Sequence, residues 1–411
     1  MTRMTYAAVH EPHTDLAGLE RPDETTLREQ VRAFAWDRLE RRRGEIDEKR
    51  LSRELIPLLA EQGYLATLVA PDKGGSGLGL GASVAIAREL GGVVPSLAAL
   101  RAICGNFVAK PIEEFGTTEQ IDTWLRPLVR GEITTSLAIT EPASGSDVAH
   151  MTTTATRDGD GWVLHGAKKH ASGAAEADIV LIYAATEPEA AASRRLTAFL
   201  VPTDRPGVSI SPDTYLGLRG LSHAEIELDG VRLDDAHRLG EVGEGLRILY
   251  FGLAAERIDI AARATGCASR AFEEARAFSA DRGLPGRPIR AHQGVSHRIA
   301  DMRTTIDAGW LLTLRAARLY DRVLAEQGPE EANRVCDEES SIAKLFCARE
   351  SFAVCDSAMQ VMGGLGYEYG TAVEGMFRDS RVFRFGGGTD EIQQHIIQRE
   401  EYRRFRTSRE G

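Results

Sequence analysis

The sequence predicts an α+β chain in which a small β-barrel or sandwich domain lies between an N-terminal helical domain and a C-terminal antiparallel helical bundle. Three observations carry this. A helical period of apolar residues runs from about Asp23 to Gly131, vanishes from about Thr135 to Leu239, and returns from Glu244 onward. Short apolar runs separated by proline and glycine fill the middle stretch. Long helical patterns with short connections close the chain, as in an antiparallel bundle. The predicted division is a loose tail over 1–22, a helical domain over 23–133, a β domain over 134–240 and a helical bundle over 241–411.

Leu27, Val31, Phe34 and Ala35 fall on one helical face, and Asp23 is placed to cap that helix. Leu55, Leu58 and Leu59 suggest a second helix stopped by Gly63. Ala66–Ala70 reads as a strand-like run before the glycine-rich segment Pro71–Gly81. Helices follow over about Ala82–Leu90, Ile112–Phe115 and Glu119–Leu128. In the middle, Asp158 to Gly161 form a turn before a strand that starts at Trp162. Ile179–Tyr183, Leu196–Val201 and Glu225–Leu228 are further strands, punctuated by Pro202, Pro206, Pro212 and Asp229-Gly230. The helical period then resumes through Leu246, Leu249, Tyr250 and Leu253, and again through Ile299, Met302, Ile306 and Trp310.

The length of 411 residues, at about 150 per domain, agrees with two to three domains. The net charge of −11 argues against nucleic acid and anionic lipid as partners. No run of apolar residues is long enough to span a membrane, and the first 22 residues lack the apolar core of a secretory signal. Five cysteines without a CxxC pair read as small buried hydrophobes in a reducing, cytoplasmic setting, and no metal site is expected.

Some motifs are decoys. Gly77-x-Gly79-x-x-Ala82 has the form of a dinucleotide loop but lacks the later carboxylate and parallel strand, so a connecting loop is the better reading. His292, His297 and Asp301 lack a further ligand for a metal.

Two segments are more specific. One is Leu137-Ala-Ile-Thr-Glu-Pro-Ala-Ser-Gly-Ser-Asp147. The other runs from Gln360-Val-Met-Gly-Gly-Leu-Gly-Tyr367 through Arg378-Asp379 to Gly386-Gly-Gly-Thr-Asp-Glu-Ile392. They resemble the TEPxxGSD and QxxGGxGY…RD…GT.EI signatures of the acyl-CoA dehydrogenase family, and residues 282–302 resemble the stretch between them. The resemblance covers roughly residues 24 to 405. It implies a helical N-terminal domain, a small middle β-barrel domain and a C-terminal four-helix bundle, and an FAD-dependent enzyme that removes an α proton and a β hydride from an acyl thioester, the hydride passing to flavin N5. The thioester would belong to coenzyme A or an acyl carrier protein. An electron-transfer flavoprotein would accept the electrons, and the assembly would be a homotetramer.

By the same resemblance, Leu137, Ile139 and Thr140 would line the isoalloxazine, and Ser146 would touch both cofactor and thioester arm. Arg282 and Gln293 match positions that hold the FAD diphosphate, usually of a neighbouring subunit. Gln360, Gly363 and Gly364 match the AMP-binding part, and Thr389 and Glu391 match further cofactor contacts. His170 and Ser172 lie on the flavin-flanking strand, in Lys168-Lys-His170-Ala-Ser172 where members often read K-x-W-I-T. Pro285 stands where a phenylalanine is usual.

The main departure concerns the base. Many members carry a glutamate where this chain has Gly387, and glycine cannot take a proton. Isovaleryl and long-chain members place the base on the first helix of the C-terminal domain, where Glu256 stands here, followed by Arg257 as a substrate contact. Among small and apolar neighbours a carboxylate becomes more basic. Read from spacing alone, Glu256, Asp259 and Arg263 could equally be one solvated face. Gly387 keeps a backbone N–H for the thioester oxygen. The alternatives are a flavin-dependent monooxygenase or oxidase of the same superfamily, and a non-catalytic flavin-binding subunit.

Overall fold

The protein is described by a computed structural model covering residues 21–410. The tail expected over 1–22 lies almost wholly outside these residues. The first helix, α1 (Pro22–Arg38), starts one residue before Asp23. Arg21 is its cap position, and the Glu24 carboxylate accepts the Arg21 amide at 3.1 Å, so Asp23 is not the cap. A short helix over Ile56–Glu61 ends at Gly63, whose φ of 72° lets the chain reverse. Ala66–Ala70 is a buried turn-rich segment and not a strand. Its backbone groups bond to the following loop, as in Leu78 N to Thr67 O at 2.9 Å. Helix α2 (Gly79–Gly91) and helix α3 (Pro95–Ala102) follow.

The supposed dinucleotide loop is closed from within. Leu80 and Gly81 amides, at the start of α2, donate to the two Asp321 carboxylate oxygens at 2.7 and 2.9 Å. The donors a phosphate would need are already used.

Eight strands form one sheet: β1 (Thr135–Ala138), β2 (Thr154–Asp158), β3 (Gly161–Ser172), β4 (Ile179–Ala185), β5 (Leu196–Pro202), β6 (Val208–Asp213), β7 (His223–Asp234) and β8 (Arg238–Leu239). The path is β6-β7-β3-β2-β4-β5-β8, with β1 added in parallel to β4. Residues of β1 to β7 meet in one apolar cluster around Trp162, Phe199 and Ile226. Strands β4 and β5 are buried throughout, because they serve two cores. Val180, Ile182 and Ala184 face the β-domain core, while Ile179, Leu181 and Tyr183 pack with the N-terminal helices. That explains why both read as unbroken apolar runs.

After a short helix α4 (Gly245–Phe251), the C-terminal region is built on α5 (Leu253–Asp281), α6 (Gln293–Gln327), α7 (Asp337–Met362), α8 (Ala372–Ser380) and α9 (Asp390–Glu410). Helix α5 is central and buried on nearly every side. Its alanines and Gly266 let neighbours come close. A Cβ on Gly266 would fall 2.1 Å from the Arg88 carbonyl oxygen of α2. Among the described residues no helix is long and apolar enough to cross a membrane. Gly266→Ala should therefore force α2 and α5 apart and cost about 1–3 kcal/mol, the usual range for overpacking. Urea unfolding measures this, and unchanged stability would contradict the close approach.

Candidate active site

One cleft of about 1260 Å³ opens where the N-terminal helices, the sheet and the C-terminal bundle meet. It gathers Leu137, Ile139, Thr140, Ser146, His170 and Ser172 from the sheet side. It gathers Glu256, Arg257, Gly387 and Thr389 from the bundle side. Arg282, Gln293, Gln360, Gly363, Gly364 and Glu391 do not line it, and all six are exposed.

The sheet wall is fixed by a buried pair. Glu141 accepts from Lys168 Nζ at 2.8 Å, from Thr152 N at 2.6 Å and from Thr153 N at 2.9 Å. Burial works against its charge, but Lys168 and the threonine donors outweigh it and hold the carboxyl down at about 2. Burial in turn pulls the Lys168 ammonium down to about 8, partly offset by Glu141. These bonds bind the loop after β1 onto β3, and Lys169 N to Thr140 O at 2.8 Å continues the tie.

Next to that tie the β3–β7 register slips between Lys168 and Ala171. His170 takes a φ of 61°, a left-handed conformation rare for a residue with a Cβ. The bulge redirects its ring, as bulges beside functional sites do. His170 Nδ1 then pairs with the Tyr215 hydroxyl at 2.5 Å. The Tyr215 ring lies 4.6 Å from that of His223, and Ser172 Oγ pairs with His223 Nδ1 at 2.9 Å. Burial, the nearby His170 and Arg50 push the His223 imidazolium down to about 4 against the favourable influence of the Leu218 backbone carbonyl, so the ring is neutral at pH 7. Tyr215 and His223 carry no local motif. Sheet register brings His223 to the cleft opposite Ser172, and Tyr215 comes from the loop between β6 and β7.

On the bundle side, Glu256 is buried on α5. Its Oε1 accepts from Arg263 Nη2 at 2.6 Å. Its Oε2 is buried and has no hydrogen-bond partner. Burial raises the carboxyl to about 8, with Arg263 opposing and Asp259 adding to the rise. Asp259 and Arg263 are themselves buried, so the solvated-face reading of this helix is overturned. Arg257, which also lines the cleft, donates to Asp337 Oδ1 at 2.5 Å, and Asp337 Oδ2 accepts from Arg399 at 2.8 Å.

The Gly386–Gly388 loop faces Glu256's helix. Gly387 has φ 65°, and a Cβ there would lie 2.5 Å from Ile260 Cδ1. Buried Lys344, which sequence reasoning missed, donates to Gly388 O at 2.6 Å. Gln393 Nε2 donates to Gly387 O at 3.2 Å and to Gly388 O at 3.1 Å. The peptide at 387 is thus held by its own carbonyl. A planar cofactor fits this cleft. Peptide edges at 137–140 and the side-chain-free loop at 386–388 offer close approach, and Ser172 and Thr140 offer hydroxyls.

Residues 21–132, 136–231 and 243–401 match the families described as acyl-CoA dehydrogenase N-terminal, middle and C-terminal domains. The chain is 34% identical to a probable acyl-CoA dehydrogenase of Bacillus subtilis, over 92% of this chain and 97% of that one. It is 32% identical to a subunit of a caffeyl-CoA reductase–Etf complex of Acetobacterium woodii, over 84% of this chain and 88% of that one. A glutaryl-CoA dehydrogenase from Mycobacterium smegmatis, solved in complex with FADH2, superposes with a TM-score of 0.86 at 27% identity, over 96% of this chain and 98% of that one. The fold and the cleft are those of a flavoprotein oxidoreductase. The chain belongs to the acyl-CoA dehydrogenase family.

The buried pair at the sheet wall gives a stability test. Glu141→Gln would leave the Lys168 ammonium buried without its counter-charge. Breaking one side of such a pair costs about 3–5 kcal/mol, so urea unfolding at pH 7 should move by that amount. A change near zero would show that the pair does not hold the wall.

Proposed function

We propose that the protein dehydrogenates an acyl thioester at its α and β carbons with Glu256 as the α-proton base and FAD as the cofactor. The observation that carries this is Glu256 Oε2, a buried carboxylate oxygen in the cleft with no partner of its own. A buried proton acceptor near neutral pKa suits the removal of a weakly acidic C–H proton. Gly387 supplies its peptide N–H to the thioester oxygen, with the loop held by Lys344 and Gln393. Charge that develops on that oxygen is stabilised by a donor already in place. Leu137, Ile139, Thr140, Ser146, His170, Ser172 and Thr389 hold the isoalloxazine end, and Ser146 and Arg257 face the thioester arm. When bound, FAD supplies the two-electron acceptor for the β hydride. None of the relatives above is named a monooxygenase or an oxidase.

The exposed set of Arg282, Gln293, Gln360, Gly363 and Gly364 stands off the cleft of its own chain. This supports a homotetramer, a dimer of dimers, in which that set holds the diphosphate and adenylate of a neighbour's FAD, with Glu391 as a further cofactor contact. Relatedness to a subunit of an Etf complex supports an electron-transfer flavoprotein as acceptor. Coenzyme A or a carrier protein remains the carrier. Five buried thiols without a disulfide support a cytoplasmic setting, and the domain division at 133/134 and 240/241 follows from the change between helical and sheet patterns.

Glu256→Gln should keep flavin and thioester binding but slow anaerobic flavin bleaching by about two to four powers of ten. The wild-type rate should rise with pH and level off above about 8, because only the ionised carboxyl accepts the proton. Stopped-flow measurement with a panel of thioesters checks both, and bleaching at the wild-type rate in Glu256→Gln would end the assignment.

The assembly makes a separate expectation. Sedimentation should give a tetramer, and Arg282→Ala should release FAD while Glu256→Gln retains it. A monomer that keeps its full FAD at nanomolar concentration would refute the shared site.

A further inference from the structure

The base is not alone on its helix. Glu256, Asp259 and Arg263 fall on one face of α5, three and seven residues apart. Arg263 bonds both carboxylates: Nη2 to Glu256 Oε1 at 2.6 Å and Nε to Asp259 Oδ1 at 2.7 Å. Asp259 Oδ2 then accepts from Arg101 Nη1 of α3 at 3.1 Å and from Asn106 Nδ2 at 3.4 Å. Arg101 spends its other donors on Tyr64 O at 2.7 Å, Ser83 Oγ at 2.8 Å and Thr67 Oγ1 at 3.1 Å. Every charged group in this chain is buried. The charges that face Glu256 are Arg263 and Asp259 from its own helix and Arg101 from α3.

We propose that Arg263 and Asp259, anchored by Arg101, are positioning residues that clamp one oxygen of Glu256, aim the other at the substrate, and supply the positive charge that the enolate-like transition state needs. This rests on Glu256 being the base. With both carboxylates ionised the four charges sum to zero. In the reaction step the α C–H bond breaks, its proton goes to Glu256 Oε2, and the electron pair stays on the acyl fragment and spreads to the thioester oxygen. The clamp then carries one uncompensated positive charge. It gains that charge as the acyl fragment becomes negative, on side chains that are themselves buried. Electrostatic stabilisation is strongest under those conditions. Arg263 itself lines the cleft. A purely structural ion pair would have no reason to leave one carboxylate oxygen unpaired in a substrate cleft.

The clamp predicts shifts of opposite sign. Removing the cation should make Glu256 harder to ionise, and removing the anion should make it easier. The carboxyl C=O band of the substrate-free holoprotein, followed by infrared difference spectroscopy against pH and assigned by its loss in Glu256→Gln, reads this without turnover. Arg263→Met should raise the Glu256 midpoint by at least about one pH unit, a tenfold change in the ionisation constant. Asp259→Asn should lower it, and Arg263→Lys should stay near wild type. The pH dependence of anaerobic bleaching should move with each midpoint. At a pH where Glu256 is ionised in both, Arg263→Met should still bleach more slowly than Arg263→Lys. Should Arg263→Met fail to fold, Asp259→Asn and Arg263→Lys carry the same test. Midpoints that do not move, or move in one direction for both charge removals, overturn the clamp while Glu256→Gln remains inactive. Wild-type bleaching by Glu256→Gln instead removes the base assignment beneath it, and shows itself in a different variant.

Discussion

The burial of one carboxylate with an unpaired oxygen is the constraint on which the rest of this structure depends. Leaving a buried acceptor unsatisfied costs on the order of 1–3 kcal/mol, more for a charge. Glu256 tolerates this because Arg263 satisfies its other oxygen, and Arg263 is itself held by Asp259, which Arg101 anchors from α3. Such an array survives only where water is kept out, and the packing around α5 does that. Its alanines and Gly266 admit the backbone of α2 to within contact, and Gly91 of α2 meets the Arg263 backbone in the same way. The small residues of α5 thus serve the chemistry by excluding solvent from its charged face. The array also joins regions far apart in sequence, since Arg101 belongs to α3 and its counter-charge Asp259 to α5.

The sheet contributes in a different way. Because β4 and β5 bury both faces, they fix the β domain against the N-terminal helices and leave the cleft at the seam. The wall of that seam is β3, locked by Glu141–Lys168 just before its register slips. A left-handed histidine is a strained choice, worth of order 1–3 kcal/mol, and it persists because the residues before it are over-determined. The bulge turns His170 toward Tyr215, and the register beyond it sets Ser172 beside His223. Strand pairing, loop anchor and bulge thus place three rings and two hydroxyls on the cleft's sheet side.

The elements were legible where one face is apolar. Val31 and Ala35 on α1, and Met302, Ile306 and Trp310 on α6, are buried as their spacing requires. Ala66–Ala70 misled because five small and apolar residues cannot distinguish a strand from a buried turn. Asp23 misled because two acidic residues stand side by side at the helix start, and the bond that forms runs from Arg21 N to Glu24. The site was legible only where its residues share a motif. Leu137 to Ser146 and Gly387 to Thr389 are local strings. Arg101, Tyr215, His223 and Lys344 are single residues that topology brings in from elsewhere, and no spacing announces them. Asp259 and Arg263 were visible as a helix face but not as a buried one, since polar spacing on a helix is the same whether water or a second guanidinium lies opposite.

That last ambiguity bears on why this chain has its base where it does. A side chain at 387 would need a left-handed backbone and would meet Ile260 Cδ1. Ile260 stands one turn beyond Glu256 on α5, so the helix that supplies the carboxylate also fills the space a carboxylate at 387 would use. Two acids facing one α carbon would also repel, and one would hold a proton at neutral pH. Glycine at 387 and glutamate at 256 are therefore one arrangement and not two separate substitutions. The loop gives up its side chain, keeps the peptide that serves the thioester oxygen, and leaves the proton to a helix rigid enough to hold a charged clamp behind it.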